Sequence, residues 1–373
     1  MKKQVRPATR EKSADDKFMK IALKLSLRGL GYTEPNPMVG AVLVKNNRIV
    51  STGYHRAYGS PHAEAMALEN APATAGATLY LTLEPCCHFG KTPPCTDLII
   101  AKKIRRVVMA MVDPDPRVNG RGKECLQAQG IETSCGLYGD WAAHINRHYL
   151  KAVRRRLPYV TLHAGISLDG KLTDDAGHSR WVTSEDGRRY SHSLRGEFSA
   201  ILAGHGTILA DDPRLNLREP GWEGKVLHRV VLDSANTLPR SLNIFREQEN
   251  FPLVIFSSTA AADRGKKVPL HFFVRQDANG LVLAEVLERL SRLGIASLLV
   301  EGGGRVLDSF VRERLFDEVA FFISNTIVGG RNSVQIFASG AARLEDALEL
   351  ADCRWSEYAG GTMMRGFRKC SPA

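Results

Sequence analysis

Three stretches far apart in a chain of 373 residues carry side chains suited to catalysis at a metal: His62-Ala63-Glu64, Pro85-Cys86 and Cys95. A histidine and two thiolates are ligands for zinc, and three protein ligands leave a fourth position for water, as a catalytic rather than a structural site requires. Glu64, two residues after the histidine, can lie beside the metal without binding it. There it can take a proton from water and return it to a leaving amine. Histidine, glutamate, Pro-Cys and Cys in this order are the parts needed to remove an amino group hydrolytically from a nucleobase ring. Intracellular cysteines are often just small buried hydrophobes, so the weight rests on the whole set in its order.

The spacing adds detail. Eight residues separate Cys86 from Cys95, where two suffice in the usual pattern, so this loop must double back to the metal. Gly90 and the Pro93-Pro94 pair suit such a return, since glycine permits unusual dihedrals and proline stiffens the approach. Cys87 and His88 could also reach a metal, but Cys86 follows Pro85 in the expected place. The expected ligands are therefore His62, Cys86 and Cys95.

Composition narrows the class. Seven cysteines, an odd number in a long chain, argue against a disulfide framework and for a compartment where thiolates are free to bind metal. No apolar stretch approaches a membrane span and the N-terminus lacks the apolar run of a signal peptide, so the expected location is the cytoplasm, without a membrane partner. The net charge of +11 invites a nucleic-acid reading. Two local clusters stand out, the N-terminal Lys2, Lys3, Arg6, Arg10 and Lys12, and Lys151 with Arg154-Arg155-Arg156; elsewhere basic residues are interspersed with acids. Such runs are usually solvated faces or linkers, and no aromatic-rich basic platform accompanies them. Nucleic acid is therefore not an expected partner, whereas a phosphorylated small molecule would also favour positive sites.

The elements that must position these residues alternate along the chain. Residues 1–14 read as a disordered basic tail, after which Asp15 or Asp16 could cap a helix to about Arg28. Strands are expected at Met38–Val44 and Ile49–Thr52, joined at Asn46-Asn47, whose residue type tolerates left-handed turns. A helix from His62 to Asn70 and a strand from Thr78 to Leu83 put the candidate ligands near a helix start and just past a strand end. Helix, strand, helix and strand follow at about Thr96–Ala101, Arg106–Met111, Gly122–Gln129 and Ile131–Ser134, then one helix over Trp141–Tyr149. The basic run ending in Leu157-Pro158 marks the boundary, giving domains over 15–153 and 154–373. In the second half strands are expected at Tyr159–Ala164, Ala200–Ala203, Arg229–Leu232, Leu253–Phe256, Leu298–Val300 and Val319–Ile323. Its helices fall near Asp186–Arg195, Leu281–Leu293 and Gly304–Phe310. Both halves are α/β, and neither contains the Gly-x-Gly-x-x-Gly fingerprint.

Glu301-Gly302-Gly303-Gly304 lies where the strand ending at Val300 hands over to a helix. Such a junction can cradle phosphate, because glycines let the backbone approach closely and helix-start amides favour anions; it can equally be only a turn. Trp181 could stack on a flat ring, and Arg195 and Arg218 could hold a phosphate through paired donors. Together these point to a ligand pocket without specifying a reaction.

The strings Asn36-Pro37-Met38-Val39-Gly40, His62-Ala63-Glu64, Leu83-Glu84-Pro85-Cys86-Cys87-His88-Phe89-Gly90-Lys91-Thr92-Pro93-Pro94-Cys95 and Ser167-Leu168-Asp169-Gly170-Lys171 resemble the bifunctional deaminase-reductases of riboflavin biosynthesis. The likeness runs from about residue 15 to the end. It implies two three-layer α/β domains, cytidine-deaminase-like and then dihydrofolate-reductase-like, with one zinc ion in the first and NADPH in the second. The first would deaminate 2,5-diamino-6-ribosylamino-4(3H)-pyrimidinone 5′-phosphate and the second would reduce the ribosyl group of the product; a homo-oligomer is the expected assembly. The resemblance implies that His62, Cys86 and Cys95 hold zinc, that Glu64 shuttles protons, and that Asn36 and Lys91 contact the pyrimidine. In the second domain it assigns Ser179, Arg195, Arg214, Leu215, Arg218 and Glu301 to substrate. To NADPH it assigns Gly165, Trp181, Thr207, Asp211, Ser234, Gly303, Gly304, Arg305, Val306 and Leu307. Three positions depart from the family: Cys87 replaces a serine, His163 replaces a lysine, and Thr237 stands where arginine is frequent. A histidine titrates near neutrality where a lysine does not, so pH-dependent substrate affinity is expected of the second half. Thr237 bears on selection of NADPH over NADH. Two rival readings are a reductase half retained only as a scaffold, and a polynucleotide deaminase using the same zinc ligands.

Overall fold

In the computed structural model the chain forms two compact units, Met1–Arg156 and Leu157–Ala373. The structure describes residues 9–69, 71–89, 93–179, 181–259, 269–338 and 343–369, with side chains from Ala14 onward.

The first unit runs α1 (Thr9–Ser26), β1 (Gly40–Lys45), β2 (Arg48–Tyr54), α2 (Ala63–Glu69), β3 (Thr78–Leu81), α3 (Cys95–Ala101), β4 (Arg106–Met109), α4 (Arg121–Ala128), β5 (Glu132–Cys135), α5 (Gly139–Ile145) and α6 (Arg147–Arg155). Its sheet has the order β2-β1-β3-β4-β5, with β1 antiparallel to both neighbours and β3, β4 and β5 parallel. Side chains alternate across a strand, so β1 feeds two cores. Ala41 and Leu43 pack with Ala67 and Leu68 of α2, Ile99 of α3 and Leu126 of α4. Val42 and Val44 pack with Phe18, Met19, Ala22 and Leu23 of α1 and with Ala142 and Ile145 of α5. Helices on both faces explain why β1 is apolar throughout rather than alternating.

The second unit runs β6 (Tyr159–Ile166), α7 (Glu185–Leu194), β7 (Ala200–Gly204), α8 (His205–Asp211), β8 (His228–Leu232), β9 (Leu253–Ser257), β10 (Leu270–Phe273), the two-residue strands β11 (Gln276–Asp277) and β12 (Gly280–Leu281), α9 (Leu283–Arg292), β13 (Ser297–Val300), α10 (Gly304–Arg312), β14 (Glu318–Ser324), β15 (Leu350–Tyr358) and β16 (Gly361–Arg368). Among the described residues its main sheet has the order β10-β9-β8-β7-β13-β6-β14-β16-β15. It is parallel up to β14 and antiparallel over the last two strands. One face packs Leu162, Leu202 and Leu298 against Val286 and Leu290 of α9 and Leu307 and Phe310 of α10. The other packs Ile201 and Val231 against Ile208 of α8, and Leu299 and Phe322 against Leu194 of α7. Each unit is thus a helix–sheet–helix sandwich, the expected three-layer α/β class.

Several local expectations change. The first helix begins at Thr9, inside the stretch expected to be a tail. Asp15 is no cap: its carboxylate takes both terminal nitrogens of Arg106, at 2.9 and 2.8 Å, and the Tyr80 hydroxyl at 2.6 Å. The helix expected over Trp141–Tyr149 is two, α5 and α6. Asn146 separates them, its side chain accepting from the Met38 amide at 2.7 Å and donating to the Met38 carbonyl at 3.0 Å. The Asn46-Asn47 turn is as expected, with φ of 51° and 59°. No helix of the described residues is long and apolar enough to cross a membrane.

Candidate active sites

In the first unit the candidate ligands converge from three places. His62 immediately precedes α2, Cys86 lies in the segment after β3, and Cys95 is the first residue of α3. The helix α2 can press against β2 because residue 53 is glycine; a Cβ there would stand 2.2 Å from the carbonyl oxygen of Ala63. The ligand atoms of His62, Cys86 and Cys95 all lie within 4.8 Å of one another. His62 Nδ1 faces both sulfurs, 3.7 Å from Cys86 Sγ and 3.3 Å from Cys95 Sγ, so Nδ1 is the nitrogen available to a metal. The Cys95 amide also points at Cys86 Sγ, at 3.4 Å.

The donor set fits a cation. Hydrogen bonding from Cys95 holds the Cys86 thiol down at about 4, against burial and with help from His62. The same contact, burial and Glu64 push the Cys95 thiol up. The pair by itself therefore carries one thiolate, and a divalent cation between the three donors supplies the charge that favours a second. Glu64, in the first turn of α2, is 4% exposed. Burial and the neighbouring Cys86 raise its carboxyl to about 7, with His62 opposing. A buried carboxyl beside a metal-ligand cluster, with a pKa near neutrality, is suited to moving a proton.

These residues open onto a cleft of about 450 Å³. Asn36 lines it and shares a 3.2 Å hydrogen bond with His55 Nε2, whose Nδ1 lies 3.1 Å from the Pro61 carbonyl. Lys91 lies outside the described residues. Cys87 is no member of the ligand cluster; its sulfur lies 3.8 Å from the Arg117 carbonyl oxygen. The lining also includes residues that sequence reasoning passed over: Asp113, Asp115, Arg117 and Tyr149. The Asp113-Pro114-Asp115-Pro116 run just after a strand was the available signal, since ligand sites gather at such ends.

In the second unit a charged cluster forms where β6, β13 and α7 meet. Arg195 donates to both carboxylate oxygens of Glu301, from Nε at 2.8 Å and from Nη2 at 2.7 Å, and to the Asn216 carbonyl at 3.2 Å. Burial works against the Glu301 charge, but Arg195 and His163 prevail and hold the carboxyl at about 2. Arg218 reaches His192 Nε2 at 3.1 Å and Asn216 Oδ1 at 3.4 Å. His192, another residue without a prior signal, is held down at about 4 by burial and by Arg195 and Arg218. His163 bonds Ser191 through Nε2 at 2.8 Å, and burial lowers its pKa.

Of the residues expected to face NADPH, Thr207 lies in the first turn of α8 and Asp211 at its end, while Gly303 to Leu307 open α10. Ser179 donates to Asp211 at 3.3 Å, and the Thr207 hydroxyl accepts from the Gly303 amide at 3.0 Å. Gly302 lets α10 close on the strand end; a Cβ there would stand 2.6 Å from Val306 Cβ. A Cβ on Gly165 would likewise stand 2.9 Å from the Thr183 methyl group. Trp181 is 68% exposed, with the Arg188 guanidinium 4.0 Å from its ring centroid. Arg305 is exposed and Val306 half-buried, whereas Leu307 is fully buried in the core. The Ser234 carbonyl accepts from the Ser258 amide at 3.1 Å. Thr237 bonds His205 Nε2 at 3.0 Å. Of the remaining substrate candidates, Arg214 pairs with Glu247 at 3.5 Å. Leu215, at φ 46°, buries its side chain among Ile201 and Val231.

Comparison with known proteins agrees with this division. Residues 12–111 match the cytidine and deoxycytidylate deaminase zinc-binding region, and residues 158–364 match the RibD C-terminal domain. The riboflavin biosynthesis protein RibD of Aquifex aeolicus is 40% identical over 338 residues, 90% of this chain and 93% of that one. That of Bacillus amyloliquefaciens is 41% identical over 85% of this chain and 86% of its own. Among solved structures, a diaminohydroxyphosphoribosylaminopyrimidine deaminase/5-amino-6-(5-phosphoribosylamino)uracil reductase of Thermotoga maritima superposes with a TM-score of 0.85 at 34% identity, covering 97% of this chain and all of that one. An Acinetobacter baumannii RibD gives a TM-score of 0.89 at 31% identity, covering 96% of this chain and 99% of that one. The chain belongs to the RibD family: it is a bifunctional enzyme of riboflavin biosynthesis, with a zinc-binding deaminase half followed by an NADPH-dependent reductase half.

Proposed function

We propose that the first half hydrolyses the 2-amino group of 2,5-diamino-6-ribosylamino-4(3H)-pyrimidinone 5′-phosphate, and that the second reduces the ribosyl group of the product to give 5-amino-6-(5-phosphoribitylamino)uracil. The observation that carries the first step is the convergence of His62, Cys86 and Cys95 to within 4.8 Å, with the carboxyl of Glu64 buried beside them. His62 Nδ1 and the two sulfurs would hold zinc, which when bound would supply Lewis-acid activation of water. Glu64 takes the proton of the attacking water and delivers it to the departing nitrogen, so that ammonia rather than an amide anion leaves. Asn36 presents its amide to the pyrimidine, oriented by His55.

In the second half the reduction asks chiefly for placement. The opened sugar must present a carbon electrophile to the nicotinamide, and the developing alkoxide must gain a proton. Arg195 and Glu301 form a rigid pair that fixes the substrate side, with Ser179, Arg214, Leu215 and Arg218 around it. Gly165, Trp181, Thr207, Asp211, Ser234 and the Gly303–Leu307 turn receive NADPH, whose phosphates suit the amides at the start of α10. We place the enzyme in the cytoplasm as a homo-oligomer, divided into domains over 15–153 and 154–373.

Incubating the zinc-loaded protein with the diaminopyrimidine phosphate, with and without NADPH, tests this reading. By mass, the expected product is the deaminated ribosylamino compound without NADPH and the ribityl compound with it. Unchanged starting material in both arms refutes it.

A further inference from the structure

On the substrate proposed above, the deaminase cleft must receive a phosphate, yet acids outnumber lysine and arginine among its described lining residues. Glu64, Glu84, Asp113 and Asp115 line it, and among the described lining residues Arg117 is the only lysine or arginine. Arg117 is also held in place. Glu84 accepts from the amides of Asp113, Gly120 and Lys123 at 3.2, 2.9 and 3.0 Å. Asp113, tied by the Tyr149 hydroxyl at 2.7 Å, accepts from the Asp115 amide at 2.9 Å. Asp115 in turn accepts from the Arg117 amide at 2.9 Å and from the guanidinium through Nε at 3.0 Å and Nη2 at 2.6 Å. Three carboxylates thus tether the loop after β4 and lock one edge of the guanidinium fork. The side chain remains 69% exposed, which leaves Nη1 and the outer N–H of Nη2 available to an incoming anion. An arginine ordered in advance loses little side-chain freedom on binding, and its fork matches the oxygens of a phosphate.

We propose that Arg117 is the specificity-determining residue of the deaminase half that receives the substrate's 5′-phosphate. The assignment rests on the substrate proposed above. It makes Asp115 a positioning residue, which aims the guanidinium at the cost of offsetting part of its charge.

The test is a ratio measured on one preparation of zinc-loaded full-length enzyme: kcat/KM for deamination of the 5′-phosphate divided by that of the dephosphorylated ribosylaminopyrimidine. The concentration of active enzyme cancels in this ratio, so partial unfolding of a variant does not disturb it. The ratio is expected to fall about tenfold or more in Arg117→Gln, the loss of a charge-assisted hydrogen bond, and to fall less in Arg117→Lys, which keeps the charge without the fork. A ratio unchanged from the parent in both variants overturns the assignment. Failure of the parent enzyme to deaminate either compound would instead refute the substrate reading on which it rests.

Discussion

Replacing Glu301 by glutamine tests the most consequential charge arrangement in the second unit. Arg195 is 8% exposed and gives two of its donors to this carboxylate, so Glu301→Gln leaves a buried guanidinium without its counter-charge. Removing one partner of such a pair costs about 3–5 kcal/mol. Proton linkage gives an independent figure. The Glu301 carboxyl is depressed from 4.5 to about 2 in the folded chain, a difference equivalent to about 3 kcal/mol at neutral pH. A depressed carboxyl stabilises the fold above its unfolded pKa and loses that effect as pH falls through its folded pKa. The difference between parent and variant should therefore be about 3 kcal/mol at pH 7 and shrink to about 1.5 kcal/mol at pH 3. The measurement is hydrogen exchange in peptides covering residues 185–204 and 297–312, with urea unfolding of the full chain at both pH values. A variant within about 0.5 kcal/mol of the parent at pH 7, or a gap that does not narrow in acid, refutes the assignment of the cluster's stability to this pair.

Glu64→Gln should retain stoichiometric zinc by metal analysis and lose deamination by at least about a hundredfold, as expected for removal of a general acid–base, whereas Cys95→Ser should lose zinc; full metal and full activity in the latter would remove Cys95 from the ligand set. Gly302→Ala places a methyl group against Val306 and should push α10 from the sheet, weakening NADPH binding about tenfold in a fluorescence titration while deamination persists. Arg229, fully buried, donates to the carbonyls of Phe251, Arg214 and Arg246 at 2.9, 3.1 and 2.6 Å. Arg229→Met orphans three acceptors and should destabilise the second unit by about 3 kcal/mol or more in urea unfolding. It should also raise the reductase KM, because the released segment carries Arg214 and Leu215.

How far the chain could be read without its fold differs between its parts. The candidate zinc ligands and Glu64 were legible because their chemistry restricts residue type and their spacing is short within each stretch. The alternation of strands and helices was legible because apolar runs buried between two helical layers leave a periodic trace. The antiparallel pair β15 and β16 was not: β15 is an edge strand exposed over most of its length, so no buried apolar run marks it. The helix α8 escaped notice as well, since its seven residues bury only Ile208.

By itself the sequence determined which atoms could hold a metal, which carboxylate could move a proton, and that two α/β units follow one another. These are properties of residue type and local order. Only the tertiary structure decided that His62 turns Nδ1 to both sulfurs, that burial lowers the pKa of His163, and that Arg195 is matched to Glu301 across 106 positions of chain. The same is true of Arg117, an unremarkable arginine in the sequence, whose guanidinium Asp115 holds in the lining of the cleft, in a loop that Glu84 tethers from 29 positions away. The physical reason is common to all four. Protonation states and side-chain directions depend on desolvation and on partners distant in the chain, and both exist only once the layers have packed.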